Sequence, residues 1–186
     1  MSKTKYLVIG AGKSGVSAAK LLLQAGEVPV IYDSRADYDY SALKEANPEI
    51  KDVECVSGDL DASLLSEVKI AVISPGVPMD APFLKPVYDA DIPFWGEIEL
   101  AYQMAKGSVF AITGTNGKTT TTALVGKIFS DYYKSVFVVG NIGIPYTSVA
   151  LDTTEDSKVV AEISSFQLES IVDFRPHISA ILNITP

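Results

Sequence analysis

Two glycine-rich segments constrain the fold of this 186-residue chain more than any other feature. The first, at residues 10–15, has the pattern G-x-G-x-x-G, and the second, at residues 114–120, reads Gly-Thr-Asn-Gly-Lys-Thr-Thr. Each follows a short apolar run and precedes a stretch with helical spacing of its apolar residues. Such strand–loop–helix units are typical of parallel sheets with helical crossovers. We therefore predict an α/β protein, with a Rossmann-like parallel-sheet domain followed by the first part of a P-loop-type domain.

Strand and helix patterns alternate along the rest of the chain. Apolar runs predict strands at residues 6–9, 28–32, 53–56, 70–73, 92–95, 109–112, 136–139, 159–163 and 178–184. Helical spacing predicts helices at residues 16–24, 62–68, 83–91, 96–106 and 118–130. Gly107 and Ser108 interrupt the pattern, so we expect domains at residues 1–106 and 107–186. The last strand leads to a loop where the sequence stops, and we expect a fragment of a longer protein.

Composition argues against several classes of protein. A net charge of −8 and the lack of a basic tract disfavour nucleic acid as a partner. No apolar run approaches the ~18 residues that a membrane span needs. With one cysteine, Cys55, and one histidine, His177, the chain can form neither an internal disulfide nor a cysteine or histidine metal cluster. We expect a cytoplasmic monomer without nucleic-acid or membrane partners.

The first glycine loop has the features of a nucleotide-binding turn. Gly10 permits a tight turn, Gly12 lets a phosphate approach the backbone, and Gly15 lets the helix pack against the strand. Asp33 ends the second predicted strand, where a carboxylate can bond to a ribose hydroxyl. The pattern does not distinguish NAD from another diphosphate nucleotide, and a turn without a ligand is an alternative. Arg35 either pairs with a phosphate or is a solvated charge.

The second loop is similar to a phosphate-binding P-loop. Its backbone N–H groups would cradle phosphates, Lys118 would reach the terminal phosphates, and the Thr119 hydroxyl would bind Mg²⁺. The loop is shorter than the general pattern, which has glycine where this chain has Ile112. The predicted ATP contacts are Gly114, Thr115, Asn116, Gly117, Lys118, Thr119 and Thr120.

Two polar residues follow neighbouring apolar runs of the second domain. Glu162 lies in an apolar strand, where a carboxylate is costly unless it is paired or bound to metal. We therefore predict Thr119 and Glu162 as Mg²⁺ contacts; the alternative for Glu162 is an edge-strand side chain that faces water. Asn141, in the loop 140–143, offers a donor and an acceptor to a sugar or phosphate, although Asn-Gly loops are often only turns.

Two nucleotide-type loops in tandem resemble the Mur ligase family of peptidoglycan synthesis. The loop at residues 114–120 is similar to that family's ATP-binding signature, which accounts for the missing glycine at position 112. The match extends to residues 33–35, 74–76 and 140–143 and, most specifically, to residues 162–169. It resembles most the members that add D-glutamate to UDP-N-acetylmuramoyl-L-alanine.

The resemblance implies an ATP- and Mg²⁺-dependent amide ligation through an acyl phosphate, with Lys118 and Glu162 as catalytic residues. It also implies that the first domain binds the UDP part of the substrate. The implied substrate contacts are Lys13, Ser14, Asp33, Ser34, Arg35, Gly76, Asn141, Ser164 and Gln167. Because members of the family have three domains, we expect this chain to bind UDP ligands without ligating.

Three other functions compete with that interpretation. An NAD-dependent oxidoreductase would use the first loop but would leave residues 114–120 unexplained. A binding module would sense a nucleotide sugar without chemistry, and a fragment could behave in this way even if its parent is an enzyme. A sister amide ligase such as folylpolyglutamate synthase shares a similar ATP loop, but it would have no use for the glycine loop at residues 10–15.

Overall fold

The computed structural model describes residues 3–141 and 143–185. The chain forms two compact units, Met1–Glu97 and Ile98–Pro186. All the strand pairs among the described residues are parallel, which confirms the predicted fold class. No helix in this part of the chain is long and apolar enough to cross a membrane.

The first unit is built on a five-stranded sheet. Its strands are β1 (Lys5–Ile9), β2 (Val28–Asp33), β3 (Glu54–Ser57), β4 (Val68–Ile73) and β5 (Phe94–Gly96), in the order β3-β2-β1-β4-β5. The helices are α1 (Lys13–Gln24), α2 (Tyr40–Ala46), α3 (Ala62–Glu67) and α4 (Lys85–Asp89). Leu7 and Val8 point to opposite faces of β1 and are both fully buried, as expected for a sheet covered on both faces.

The second unit is built on a four-stranded sheet. Its strands are β6 (Ser108–Thr113), β7 (Val136–Gly140), β8 (Lys158–Glu162) and β9 (Ile178–Ile181), in the order β7-β8-β6-β9. Helix α5 (Glu97–Met104) precedes the sheet, α6 (Lys118–Tyr132) connects β6 to β7, and the short α7 (Ser165–Leu168) follows β8.

Most predicted elements are present, but several bounds differ. The predicted helix at residues 83–91 is a 3-10 turn, Pro82–Leu84, that leads into the shorter α4. Helix α2 was not predicted; it begins where the Asp39 carboxylate accepts the N–H groups of Ser41 and Ala42. The predicted strand at residues 178–184 ends at Ile181, and residues 182–185 run beside the loop that follows β6.

The division between the units also differs from the predicted boundary after Lys106. It falls after Glu97, so that most of α5 belongs to the second unit. One carboxylate oxygen of the fully buried Glu99 accepts the N–H groups of Val172, Asp173 and Phe174, at 2.8, 3.1 and 3.0 Å. These contacts bind the helix to the part of the chain that precedes β9.

Candidate functional site

Three loops of the first unit meet at the carboxyl edge of its sheet. Strand β1 lies between β2 and β4, so the chain order reverses there. In open parallel sheets, such a switch point leaves a crevice beyond the strand ends where ligands bind. The topology therefore brings residues 10–15, 33–35 and 74–76 to one edge. Of the predicted contacts there, Asp33 is buried, Ser14 is half-buried, and the exposed ones are Lys13, Ser34, Arg35 and Gly76.

Two glycines of the first loop are required by close packing. A Cβ on Gly15 would overlap the carbonyl oxygen of Gly10. Gly10 itself has a left-handed φ of 101°. Gly12 is different, since a Cβ there would meet no described atom within 4 Å. Gly12 stands at the N-cap of α1 without a side chain to occupy the first N–H groups, so this helix end is open to an anion.

Asp33 is engaged within the protein. Its Oδ1 accepts the backbone N–H and Nε of Arg35, at 3.2 and 2.8 Å, and its Oδ2 accepts Nη2 of Arg35 and the N–H of Ala11, at 3.0 and 3.3 Å. The Arg35 guanidinium holds the pKa of the Asp33 carboxyl below its usual value, against the opposing effect of burial. Asp33 therefore ties the second loop of this edge to the first.

Arg35 has two partners within the protein that the sequence did not predict. The guanidinium pairs with Asp33 and lies over the ring of Tyr38, 4.5 Å from its centroid. The Tyr38 hydroxyl in turn donates to the Ala11 carbonyl oxygen at 2.9 Å. Sequence reasoning missed Tyr38, because no pattern links a tyrosine in a connecting loop to a glycine turn.

A cavity of about 610 Å³ opens at the carboxyl edge of the second sheet. Residues 114–120, which we call the phosphate loop, line it together with the loops after β7, β8 and β9. The lining residues include Gly114, Thr115, Lys118, Asn141, Ser164 and Asn183. Predicted ATP contacts and predicted substrate contacts thus face one space. In the loop after β7, Ile142 lies outside the described residues.

The phosphate loop has a geometry suited to anions. Gly117, with a left-handed φ of 82°, forms the N-cap of α6 and offers no side chain to the first N–H groups of the helix. Thr119 and Thr120, in the first turn, are exposed. The Lys118 ammonium folds back and donates to the carbonyl oxygens of Gly114 and Thr115, at 2.7 and 3.2 Å.

Glu162 carries a buried carboxylate that is only partly satisfied. The residue is 1% exposed, on a strand that has neighbours on both sides, so the alternative of an edge-strand glutamate facing water is wrong. Its Oε1 accepts from Asn141 Nδ2 at 3.1 Å, whereas Oε2 has no hydrogen-bond partner among the described residues. An orphaned buried carboxylate oxygen, on a residue that is hydrogen-bonded to the cavity-lining Asn141, is chemically suited to a divalent cation.

Mg²⁺ commonly binds through one or two protein ligands, with phosphate oxygens and water completing the set. The described residues contain no group of three or more His, Cys, Asp or Glu side chains that could hold a metal alone. A cation at Glu162 would therefore take its other ligands from a bound nucleotide, from water or from a hydroxyl such as that of Thr119, which is exposed.

Ser164 and Gln167 form a capping box at the start of α7. The Ser164 hydroxyl accepts the N–H of Gln167 at 3.3 Å, and Gln167 Oε1 accepts the N–H of Ser164 at 2.9 Å. Gln167 is 6% exposed and is directed to this contact, while Ser164 lines the cavity. The structure therefore gives Gln167 a role in shaping the loop.

Family models assign both parts of the chain. The model described as Mur ligase MurD-like, N-terminal domain, matches residues 4–96, and the Mur ligase middle domain matches residues 112–186. The chain belongs to the Mur ligase family. The resemblance inferred from the two loops is confirmed. The two matches correspond to two different domains of the family.

Relatives within the Mur ligase family are similar over nearly the whole chain. A UDP-N-acetylmuramoylalanine–D-glutamate ligase of Lachnoclostridium phytofermentans is 53% identical over 98% of this chain and 40% of its own length. The enzyme of the same name from Clostridioides difficile is 41% identical over 97% of this chain and 40% of its own length. The chain thus spans about 40% of these relatives.

Solved structures of Mur ligases share the fold. The UDP-N-acetylmuramate:L-alanyl-gamma-D-glutamyl-meso-diaminopimelate ligase of Neisseria meningitides matches with a TM-score of 0.58 and 16% identity, over 99% of this chain and 61% of that one. A murein peptide ligase of Psychrobacter arcticus matches with a TM-score of 0.57 and 18% identity, over 98% and 43%. At this identity, the likeness speaks for the fold alone.

Proposed function

We propose that these residues form the UDP-binding and part of the ATP-binding machinery of a cytoplasmic ligase that joins D-glutamate to UDP-N-acetylmuramoyl-L-alanine. The observation that carries the proposal is the shared cavity of the second unit. There Lys118, on the phosphate loop, faces the same space as Asn141, which holds the buried carboxylate of Glu162. The relatives that carry the same ligase name support the choice of substrates.

The chemistry that these residues support is phosphoryl transfer, which depends on positioning and charge neutralisation more than on covalent help. Lys118 would leave the carbonyl oxygens of Gly114 and Thr115 and bind the terminal phosphate of ATP. Thr119 and Glu162 would hold Mg²⁺, which when bound neutralises phosphate charge. The N–H groups at the start of α6 would orient the phosphates along the helix dipole. The catalytic residues proposed are therefore Lys118 and Glu162.

The substrate side follows from the same reaction. The alanine carboxylate of the UDP substrate would accept the γ-phosphoryl group of ATP, with ADP leaving. The amine of D-glutamate would then attack the acyl phosphate, releasing phosphate and forming the amide. Asn141 and Ser164 face the cavity, and we propose that both hydrogen-bond to this carboxylate, with the Ser164 hydroxyl turning away from Gln167 Oε1 to do so. Because the chain spans about 40% of its relatives, the complete reaction is proposed for the longer protein.

In the first unit, we propose that Lys13, Ser14, Ser34, Arg35 and Gly76 bind the uridine diphosphate. The exposed guanidinium of Arg35 is held at the sheet edge by Asp33 and retains donors for a phosphate. Asp33 acts there by positioning Arg35, since its own oxygens are already engaged. This arrangement disfavours the NAD alternative, in which Asp33 must accept ribose hydroxyls.

Calorimetric titration of the 186-residue chain tests the proposal. We expect heat from UDP-N-acetylmuramoyl-L-alanine, UDP and Mg-ADP, and none from NADH. Lys118→Ala should weaken Mg-ADP at least about tenfold, because it removes a charge-assisted contact to phosphate, and should leave UDP binding unchanged. The matched control is Lys127→Ala, since Lys127 lies on the same helix and pairs with Asp131. Binding of NADH alone, or equal effects of the two lysine variants, would contradict the proposal.

A further inference from the structure

The segment after β9, residues 182–185, lies beside the phosphate loop and extends the hydrogen bonding between β9 and β6. The Leu182 N–H donates to the Thr113 carbonyl oxygen at 2.9 Å, and the Thr115 N–H donates to the Asn183 carbonyl oxygen at 3.2 Å. The N–H and hydroxyl of Thr185 contact the Thr115 hydroxyl at 3.3 and 3.0 Å. One neighbouring segment therefore holds the first half of the loop.

Asn183 makes the most specific of these contacts through its side chain. Its Oδ1 accepts the N–H of Asn116 at 2.9 Å, and its Nδ2 donates to the carbonyl oxygen of the same residue at 2.9 Å. A side-chain amide carries a donor and an acceptor together, so it can satisfy both backbone groups of one residue. Asn116 is thereby fixed in orientation as well as in position.

The close approach of Asn183 also explains the first glycine of the loop. A Cβ on Gly114 would lie 3.1 Å from both the backbone N and O of Asn183, and Gly114 has a φ of 141°. Any other residue at this position would push the loop away from the segment that holds it. The glycine at position 114 therefore permits the close contact with Asn183, and this contact is present without a ligand.

We propose that Asn183 is a positioning residue for the phosphate loop. It commits the N–H groups of Thr115 and Asn116 to the protein, and so directs a phosphate to the N–H groups at the start of α6 and to Lys118. The first N–H groups of a helix have no intrahelical partner, and Gly117 supplies no side chain to them. This inference rests on the proposed function of the loop as the ATP site.

Amide exchange measured by NMR on the chain without nucleotide tests the positioning itself. Asn183→Ala should raise the exchange rate of the Asn116 amide about tenfold, because both side-chain hydrogen bonds are lost, and should leave that of Phe110 within β6 unchanged. Asn183→Asp keeps the acceptor and should retain part of the Asn116 protection. The matched control is Asn47→Ala, which removes a side-chain amide that donates to Leu43 in the first unit.

Titration with Mg-ADP and with UDP completes the test. Asn183→Ala should weaken Mg-ADP about tenfold with UDP binding unchanged, and Asn47→Ala should change neither. Unchanged exchange at Asn116, or faster exchange with undiminished Mg-ADP affinity, would overturn the inference. Faster exchange in a chain whose unsubstituted form binds no Mg-ADP would support the hold on the loop and overturn the proposed function instead.

Discussion

Asp33 accepts four hydrogen bonds, about as many as a carboxylate has lone pairs to offer. A carboxylate with all its acceptor sites engaged is suited to holding neighbouring groups in place. Here it fixes the start of the glycine loop through Ala11 and the position of the Arg35 guanidinium. The same residue types at the same spacing could equally belong to a ribose-binding acid, and only the direction of the Arg35 side chain separates the two.

Arg35→Met should raise the pKa of the Asp33 carboxyl, because burial then acts with less opposition. In the unsubstituted chain the folded pKa lies below the unfolded value, taken as 3.8, so this stability is present above that value and is lost as pH falls through the lowered pKa. The variant should therefore lose stability at a higher pH. Carboxyl ¹³C NMR titration and the midpoint of acid unfolding measure both effects. Lys20→Met, which removes a pair with Glu49, should leave the Asp33 titration unchanged.

The sequence was enough to predict which single residues are functional candidates, but not which side chains they contact. The cost of a lone carboxylate in an apolar strand predicted that Glu162 needs a partner; Asn141 contacts one of its oxygens, and the other has no partner among the described residues. The partner of Arg35 and the inward turn of Gln167 were not predictable, because both depend on local side-chain geometry that no spacing encodes. The part played by Asn183 was missed for the same reason.

Helix α6 illustrates at the scale of elements why a helix interior can require glycine. A Cβ on Gly126 would overlap Cγ2 of Val138 on β7, and a β-branched side chain has little freedom to move aside. Gly126→Ala should therefore lower the free energy of unfolding by about 1–2 kcal/mol, even though alanine favours helices. Urea unfolding measures this change, and Gly76→Ala, with no described atom within 4 Å of the added Cβ, is the control.

A compensating variant sharpens that prediction. Val138→Ala removes the methyl group that the new Cβ would meet. The double variant Gly126→Ala/Val138→Ala should be at least as stable as Val138→Ala alone, since the added methyl then fills vacated space. Equal destabilisation by Gly126→Ala in both backgrounds would show that steric overlap is not the reason for the glycine.

Helix α5 depends on one buried carboxylate. Glu99→Ala would leave the N–H groups of Val172, Asp173 and Phe174 without their acceptor, at a cost of about 3 kcal/mol or more. Urea unfolding is again the measurement. Glu155→Ala is the matched control, because this glutamate is 82% exposed and pairs with Lys106 at 3.8 Å; it should cost less than about 0.5 kcal/mol. Similar effects of the two substitutions would contradict the role given to Glu99.

At the scale of the whole molecule, the alternation of strands and helices was enough to predict two α/β units. The position of the division was harder, because Gly107 and Ser108 resemble a linker although the chain around them is bound to the second unit. The Lys106 N–H donates to the Thr153 hydroxyl at 2.8 Å, and Glu99 reaches across to residues 172–174. Composition marks a turn there, while long-range hydrogen bonds decide to which unit the turn belongs.

Two shortened chains test the division. We propose that residues 98–186 form the natural unit and that residues 107–186 lack part of it. The longer piece keeps Glu99 and also Tyr102, whose ring packs edge-on against Phe174 at 5.3 Å. The shorter piece loses both contacts and leaves three backbone N–H groups without an acceptor, so its free energy of unfolding should be lower by about 3 kcal/mol or more. Far-UV circular dichroism with urea compares the two, and equal stability would restore the boundary after Lys106.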